Sequence, residues 1–135
     1  MPHNSKSVCI IDDDNMYVNL VSKIIELKKL SEKVIVFNNG KEALNFFIKS
    51  TQDKEAEEDI VPQVIFLDLN MPIMDGWEFL EEFTKIRDEI SKKIDLYVVS
   101  SSIDTRDIDR AKSIKVVSDY LTKPIKLDDF EKIFI

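Results

Sequence analysis

The sequence predicts a doubly wound α/β domain in which a parallel five-stranded sheet carries helices on both faces. Short apolar runs of strand character alternate along the chain with stretches whose apolar residues recur at helical spacing. The run Val64–Leu67 is apolar throughout and stands between Pro62 and Pro72, which is typical of a strand buried on both faces of a sheet. Right-handed crossovers between such strands place all five carboxyl ends at one edge of the sheet.

The predicted strands contain mostly β-branched, aromatic and other apolar residues, which suit the interior of a pleated sheet. They cover Val8–Ile11, Val34–Phe37, Val64–Leu67, residues 96–99 and Val117–Thr122. The first helix is predicted over residues 16–30, with Asp14 or Asn15 as its N-cap. Its apolar face is expected to contain Tyr17, Leu20, Val21, Ile24 and Leu27.

Four further helices are predicted from the same spacing of apolar residues. The second follows the turn at residues 38–40, the third follows the loop at residues 74–76, and the fourth begins near Asp104 or Thr105. The last is short and covers residues 126–133. Their apolar faces are expected to contain, in chain order, Ala43, Leu44, Phe47, Ile48, Trp77, Phe79, Leu80, Phe83, Ile86, Ile103, Ile108, Ala111 and Ile114.

Composition restricts the classes of function. At 135 residues, with 44% hydrophobic and 33% charged residues, the chain is expected to form one globular domain with a sizeable core. The net charge of −7 argues against nucleic acid or an anionic membrane as a direct partner, because both are bound by basic surfaces. No apolar run approaches the roughly 18 residues of a membrane span, so a cytoplasmic protein is expected.

Two single residues narrow the chemistry further. Cys9 is the only cysteine, which excludes an intrachain disulfide and a thiolate metal cluster, and its apolar surroundings predict a core residue. His3 is the only histidine and lies in a polar lead-in of residues 1–7. A phosphocarrier that uses its own histidine is therefore not expected.

Residues 50–60 form an acidic segment within the otherwise regular pattern. Lys54 is the only cation among five carboxylates, which are Asp53, Glu55, Glu57, Glu58 and Asp59. We expect a solvated helix extension or a loop, and an acidic docking surface is the alternative interpretation.

Polar and charged side chains follow four of the predicted strands, at the point where each strand ends. Asp12 and Asp13 follow the first strand, and Asp68 follows the third. Ser100 and Lys123 follow the fourth and the fifth. Because parallel strands bring their carboxyl ends to one edge, we expect these side chains to converge. Carboxylates, a hydroxyl and an ammonium together form a site for a hard divalent cation and a phosphoryl group.

Asp68 is the candidate nucleophile of this site, because a carboxylate can accept a phosphoryl group and form an acyl phosphate. A Mg²⁺ ion would offset the repulsion among the carboxylates, with Asp13 and Asp68 as direct ligands and Asp12 as a direct or water-bridged ligand. The backbone carbonyl of Asn70 is a candidate to complete this set.

Lys123 and Ser100 are assigned to the phosphoryl group. Lys123 supplies a point charge for phosphate oxygens, and Ser100 supplies a hydroxyl donor. Each of these residues has an ordinary explanation when it is taken alone, as a turn residue or a surface lysine. Their positions after different strands are what indicate a site.

Four segments of the chain resemble the signatures of the CheY-like receiver domains of response regulators. They are IIDD at residues 10–13, DLNMPIMDG at residues 68–76, VSS at residues 99–101 and DYLTKP at residues 119–124. NGKEAL at residues 39–44 is also similar to the family, and the segments stand in the family's order across nearly the whole chain. The resemblance implies a flavodoxin-like sheet of order 2-1-3-4-5.

The resemblance also implies roles for single residues. Asp68 would accept the phosphoryl group from a histidine kinase or a histidine phosphotransfer protein. Ser100 and Tyr120 would form a switch, in which the hydroxyl moves toward the phosphoryl group and the aromatic ring turns inward. The fourth helix, the fifth strand and the fifth helix would carry the signal, and the Lys123–Pro124 peptide bond would be cis.

The resemblance implies a single-domain signalling protein that binds a partner or passes the phosphoryl group on. It would not be an enzyme, beyond assisting its own phosphorylation and dephosphorylation. Three features depart from the family. Its common glycine is absent from residues 116–118, the last helix is short, and the acidic segment is similar to an insertion or a lengthened second helix.

Two alternatives to a receiver remain open from the sequence. Phosphohydrolases of the haloacid dehalogenase type also use an Asp nucleophile and Mg²⁺ at a strand end. They need a second acidic residue two positions later, where this chain has Asn70, whose amide cannot transfer a proton. The other alternative is a metal-binding or structural domain that is never phosphorylated.

Overall fold

A computed structural model describes residues 7–53 and 61–134 of the chain. The strands are β1 Val8–Ile11, β2 Val34–Phe37, β3 Val64–Leu67, β4 Asp95–Ser100 and β5 Val117–Thr122. They form one parallel sheet in the order β2-β1-β3-β4-β5. The predicted fold class and strand order are confirmed, and β4 is one residue longer at each end than predicted.

Five α-helices accompany the strands within the described residues. They are α1 Asn15–Leu27, α2 Gly40–Gln52, α3 Gly76–Ile86, α4 Thr105–Lys112 and α5 Leu127–Ile133. The side chains of Asp14, Asn39, Asp75 and Asp104 accept backbone N–H donors at the starts of the first four helices, which fixes where each begins. Within residues 7–53 and 61–134, the structure contains no helix that could span a membrane.

The two faces of the sheet carry separate apolar layers. Helices α2, α3 and α4 pack on one face and α1 and α5 on the other. Alternate residues of β1 enter the two layers, with Cys9 and Ile11 in the first and Val8 and Ile10 in the second. All four are buried, as the continuous apolar run predicts.

The short helix α5 is held to the sheet by aromatic contacts. The ring centroid of Phe130 lies 5.5 Å from that of Phe66 in β3, and the centroid of Phe134 lies 6.4 Å from Phe66. Aromatic pairs at these distances contribute beyond the apolar area that they bury. The last helix is therefore part of the core despite its seven residues.

The predicted apolar face of α1 is partly wrong. Val18 and Ile25 are buried, whereas Leu20 and Leu27 are 55% and 68% exposed. Val18 and Ile25 fit the helical period as well as Leu20 and Leu27 do. Only the packing of α1 against α5 and the sheet determines which of these residues are buried. The helix also ends at Leu27 rather than at residue 30, because the backbone of Lys29 adopts a φ of 53°.

One other prediction differs from the structure. Ile103, which was assigned to the apolar face of the fourth helix, precedes α4 and is 77% exposed. Ser50 is buried within α2, where its hydroxyl donates to the Phe47 carbonyl at 2.6 Å. Most of the predicted acidic segment (residues 54–60) and most of the predicted lead-in (residues 1–6) lie outside the described residues.

Candidate functional site

Asp12, Asp13 and Asp68 meet at the carboxyl edge of the sheet. Ile11 of β1 pairs with Leu67 of β3, so the residues that follow these strands are neighbours. The Asp68 amide donates to the Ile11 carbonyl at 2.9 Å, which continues the ladder to the site. One carboxylate oxygen from each of the three aspartates lies within 4.8 Å of the other two. Such a set of hard oxygen donors fits a hard divalent cation.

Burial makes the negative charge of Asp68 unfavourable. The residue is 7% exposed, and desolvation, followed by the charge of Asp12, raises the pKa of the Asp68 carboxyl to about 6. The ammonium of Lys123 and hydrogen bonds from the Leu69 and Asn70 amides act in the opposite direction. The Leu69 amide lies 2.9 Å from Asp68 Oδ1. A bound cation would complete the compensation that these donors begin.

Lys123 supplies a positive charge next to these carboxylates. Its Nζ lies 2.8 Å from Asp12 Oδ2 and 3.8 Å from Asp68 Oδ1, and its side chain is only 16% exposed. The Lys123 amide donates to the Ser100 carbonyl at 2.8 Å, so the residue is fixed to the end of β4. The Lys123–Pro124 peptide bond is cis, which confirms the expectation from the resemblance.

Ser100 and Tyr120 both form hydrogen bonds with the backbone of Ser102, in the loop after β4. The buried Ser100 hydroxyl accepts the Ser102 amide at 3.1 Å, and the Tyr120 hydroxyl donates to the Ser102 carbonyl at 2.8 Å. The Ser102 hydroxyl donates to Asp107 Oδ2 in α4, also at 2.8 Å. The Tyr120 side chain is therefore turned inward, and the loop after β4 is tied both to α4 and to β5.

The predicted residues take different positions around the carboxylates. Lys123 contacts Asp12 and Asp68 directly. Ser100 is joined to this group through its backbone contact with Lys123. Asn70 is exposed in the loop after β3. Its backbone amide donates a hydrogen bond to the Asp68 carboxylate.

Two residues at the site were not recognised from the sequence. A Cβ atom on Gly76 would overlap the Asp68 carbonyl oxygen and lie 2.8 Å from the Leu69 Cα, so α3 begins against the Asp68 backbone. Lys123 Nζ lies 4.4 Å from the centroid of the Tyr17 ring in α1. The sequence did carry a signal for the contact of Gly76 with the Asp68 backbone. A glycine directly after the helix-capping Asp75 indicates that another part of the backbone lies close to the start of the helix. The sequence carried no signal for the contact between Lys123 and the Tyr17 ring.

The chain is similar to known response regulators over almost its whole length. A family model for the response regulator receiver domain matches residues 8–134. The response regulator Rcp1 of Synechocystis sp. is 29% identical over 127 residues, which cover 94% of this chain and 82% of Rcp1.

Solved structures of response regulators are also similar to this chain over almost its whole length. The Mn²⁺-bound form of Rcp1 matches with a TM-score of 0.71 and 28% identity, covering 96% of this chain and 88% of that chain. A two-component response regulator from Cytophaga hutchinsonii matches with a TM-score of 0.81 and 28% identity, covering 96% and 95%. The phosphorylated cyanobacterial phytochrome response regulator RcpA matches with a TM-score of 0.71 and 25% identity, covering 96% and 89%.

The family match spans the five strands, the described helices and every residue of the site. These similarities favour a receiver over a hydrolase of the haloacid dehalogenase type. They also agree with the sheet order and with the carboxylate cluster at its carboxyl edge. The chain therefore belongs to the response regulator receiver domain family, whose members act in two-component signal transduction.

Proposed function

We propose that Asp68 accepts a phosphoryl group from the phosphohistidine of a histidine kinase or a histidine phosphotransfer protein. The observation that carries the proposal is the placement of Lys123 Nζ, 2.8 Å from Asp12 and 3.8 Å from Asp68. Asp12, Asp13 and Asp68 gather their carboxylate oxygens within 4.8 Å at the same point. A candidate nucleophile, a cation site and a fixed ammonium thus lie together.

The metal in this proposal is Mg²⁺, held by the carboxylates of Asp12, Asp13 and Asp68 and by the backbone carbonyl of Asn70. The donor set supports a hard cation, because all of its members are oxygens and two of the carboxylates are buried. Bound Mg²⁺ would supply charge that offsets the repulsion between Asp68 and an anionic donor. The Mn²⁺-bound structure of the relative Rcp1 supports a divalent ion in this fold.

The transfer exchanges one bond for another. An Asp68 carboxylate oxygen forms a bond to phosphorus, and the bond between phosphorus and the histidine nitrogen breaks. The electron pair of that bond stays on the imidazole. Lys123 binds one phosphoryl oxygen and Ser100 donates its hydroxyl to another, which neutralises charge during transfer. The phosphorylated structure of the relative RcpA supports a phosphoryl group in this fold.

The output of the proposed receiver depends on Ser100 and Tyr120. Both contact Ser102, so a Ser100 hydroxyl that turns toward the phosphoryl group gives up its bond with the Ser102 amide. The loop after β4 then changes its contact with Tyr120 and α4. The α4-β5-α5 face presents this change to a protein partner, or the phosphoryl group passes on to another histidine protein.

Intact mass spectrometry tests the proposal directly. The protein is incubated with Mg²⁺ and phosphoramidate, a small donor whose phosphorus–nitrogen bond resembles that of phosphohistidine. Wild-type protein and the surface variant Asp128→Asn should each gain one phosphoryl group, and Asp68→Asn and samples with EDTA should gain none. A gain in Asp68→Asn would overturn the proposal. Repeated release of phosphate from small phosphate esters would instead indicate a hydrolase.

A further inference from the structure

Tyr17 lies against the lysine of the site. It stands in the first turn of α1, where its amide donates to Asp14 Oδ1 at 3.2 Å. The Lys123 ammonium nitrogen lies 4.4 Å from the centroid of its ring, which is within the range of a cation–π interaction. The same ammonium contacts Asp12 and Asp68. Lys123 is thus in contact with two carboxylates and one ring face.

The hydroxyl of Tyr17 does not explain why a tyrosine stands here. It is buried and has no hydrogen-bond partner within the described part of the chain. Burial, followed by the charges of Asp12 and Asp68, raises the pKa of Tyr17, so the hydroxyl stays protonated. A buried hydroxyl without a partner lowers stability. The ring face is the part of the side chain that makes a specific contact with the site.

The Tyr17 side chain also contacts the apolar core of the domain. Tyr17 packs against the apolar layer formed by α1 and α5, which includes Val21 and Phe130. A lysine side chain has several rotatable bonds, so its ammonium occupies one position only if its surroundings limit the alternatives. A fixed ring face beside two carboxylates provides such a limit for Lys123.

We propose that Tyr17 is a positioning residue, whose ring face holds the Lys123 ammonium between Asp12 and Asp68, where a phosphoryl oxygen would bind. This inference rests on the proposed phosphorylation of Asp68. Tyr17 acts through Lys123 and does not itself contact the phosphoryl group. The site therefore needs an aromatic ring at position 17, and it does not need the hydroxyl.

The contact itself is tested by nuclear magnetic resonance in the unphosphorylated protein. Methylene protons next to an ammonium over a ring face are shifted upfield by the ring current. The Lys123 ε-protons should show this shift in the wild-type protein and in Tyr17→Phe, and should lose it in Tyr17→Leu. Ordinary lysine shifts in the wild-type protein would overturn the inference without reference to any variant.

The role of the contact is tested by the rate of phosphorylation with phosphoramidate and Mg²⁺. Tyr17→Leu should slow the reaction about fivefold, because it removes a partly buried cation–π contact, and Tyr17→Phe should react at the wild-type rate. On a Lys123→Met background, Tyr17→Leu should have no further effect, since the ring acts through the lysine.

The outcomes separate the inference from the proposed function. If the wild-type protein takes up no phosphoryl group, the proposed function fails and the inference fails with it. If the wild-type protein reacts and Tyr17→Leu is as fast as Tyr17→Phe, only the inference fails. If Tyr17→Leu slows phosphorylation by the same factor on the Lys123→Met background, Tyr17 acts through packing alone. That result would also overturn the inference.

Discussion

Lys123 forms an ion pair with Asp12, in which the ammonium nitrogen lies 2.8 Å from Asp12 Oδ2. The other oxygen of the same carboxylate, Oδ1, accepts the Asp14 amide at 2.9 Å. Both oxygens of Asp12 thus already have a partner within the chain. A divalent cation that binds Asp12 would share the carboxylate with Lys123, and the two positive charges would compete electrostatically for it.

This competition predicts opposite effects of Lys123→Met on metal binding and on phosphorylation. Mg²⁺ should bind about tenfold more tightly, because a positive charge next to the carboxylates is removed. Phosphorylation of Asp68 should become slower, because no ammonium remains to bind the phosphoryl oxygens. Calorimetric titration with Mg²⁺ measures the first effect and intact mass against time measures the second.

Lys126→Met is the matched control for this prediction. Lys126 is exposed and lies three residues along the same connection between β5 and α5. It should change Mg²⁺ affinity and phosphorylation little. Weaker Mg²⁺ binding in Lys123→Met would show that the lysine supports the cation site and does not compete with it.

Asp68→Asn should stabilise the protein in EDTA, because the fold buries a carboxylate that water would solvate. The pKa of Asp68 is raised from 3.8 to about 6, so the folded state binds more protons than the unfolded state between these values. Stability is therefore lost as pH rises from 3.8 to 6, and the full cost is present above 6. The gain from Asp68→Asn should be up to about 3 kcal/mol near neutral pH and should nearly vanish near pH 4.

Urea unfolding at the two pH values measures this gain. Asp13→Asn is the matched control, because Asp13 belongs to the same cluster but is exposed, and it should stabilise less. A gain of equal size at both pH values would contradict the burial of a charged Asp68 as its cause.

The ends of the strands allowed much of the site to be predicted from the sequence. Asp12 and Asp68 follow neighbouring parallel strands, and Lys123 follows the last strand, so their convergence results from topology alone. The contact of Tyr17 with Lys123 could not be predicted in this way. It depends on the rotation of α1, and the apolar pattern of that helix fits two rotations, one of which exposes Leu20.

Gly76→Ala should destabilise the protein by about 2 kcal/mol, although alanine is the better helix former. The added Cβ overlaps the Asp68 carbonyl oxygen and forces the start of α3 away from the loop after β3. Phosphorylation of Asp68 should slow as well. Gly40→Ala is the comparison, because its Cβ would approach the Met74 carbonyl at 2.8 Å and leave the Asp68 backbone untouched. Thermal unfolding and the phosphorylation rate of both variants decide whether the effect is local to Asp68.

Tyr120→Phe should loosen the loop after β4 by removing the 2.8 Å hydrogen bond to the Ser102 carbonyl. The expected cost is about 1 kcal/mol, with faster amide hydrogen exchange in the loop and in the first turn of α4. Tyr97→Phe is the control, because Tyr97 is a half-buried strand tyrosine that packs with the layer on the opposite face of the sheet. Equal exchange in both variants would remove Tyr120 from the proposed switch.

Ile73→Gly should stabilise the protein by about 0.5–1 kcal/mol, because it relieves an unfavourable backbone conformation. Ile73 has a φ of 68° and is 80% exposed, and the Met74 amide donates to the Pro72 carbonyl across it at 2.7 Å. A β-branched residue is costly in this conformation. Ile73→Ala keeps the Cβ and should give a smaller gain. Urea unfolding of the two variants separates the backbone effect from loss of the exposed side chain.

The central claim is that Asp68, among three clustered carboxylates, receives the phosphoryl group. Borohydride reduces an acyl phosphate to an alcohol, so an aspartate that carries the phosphoryl group is converted into homoserine. Phosphorylated protein is reduced in this way, digested and sequenced by tandem mass spectrometry. The account predicts homoserine at position 68 only. Homoserine at position 12 or 13, or no homoserine in protein that has gained the phosphoryl mass, would contradict it.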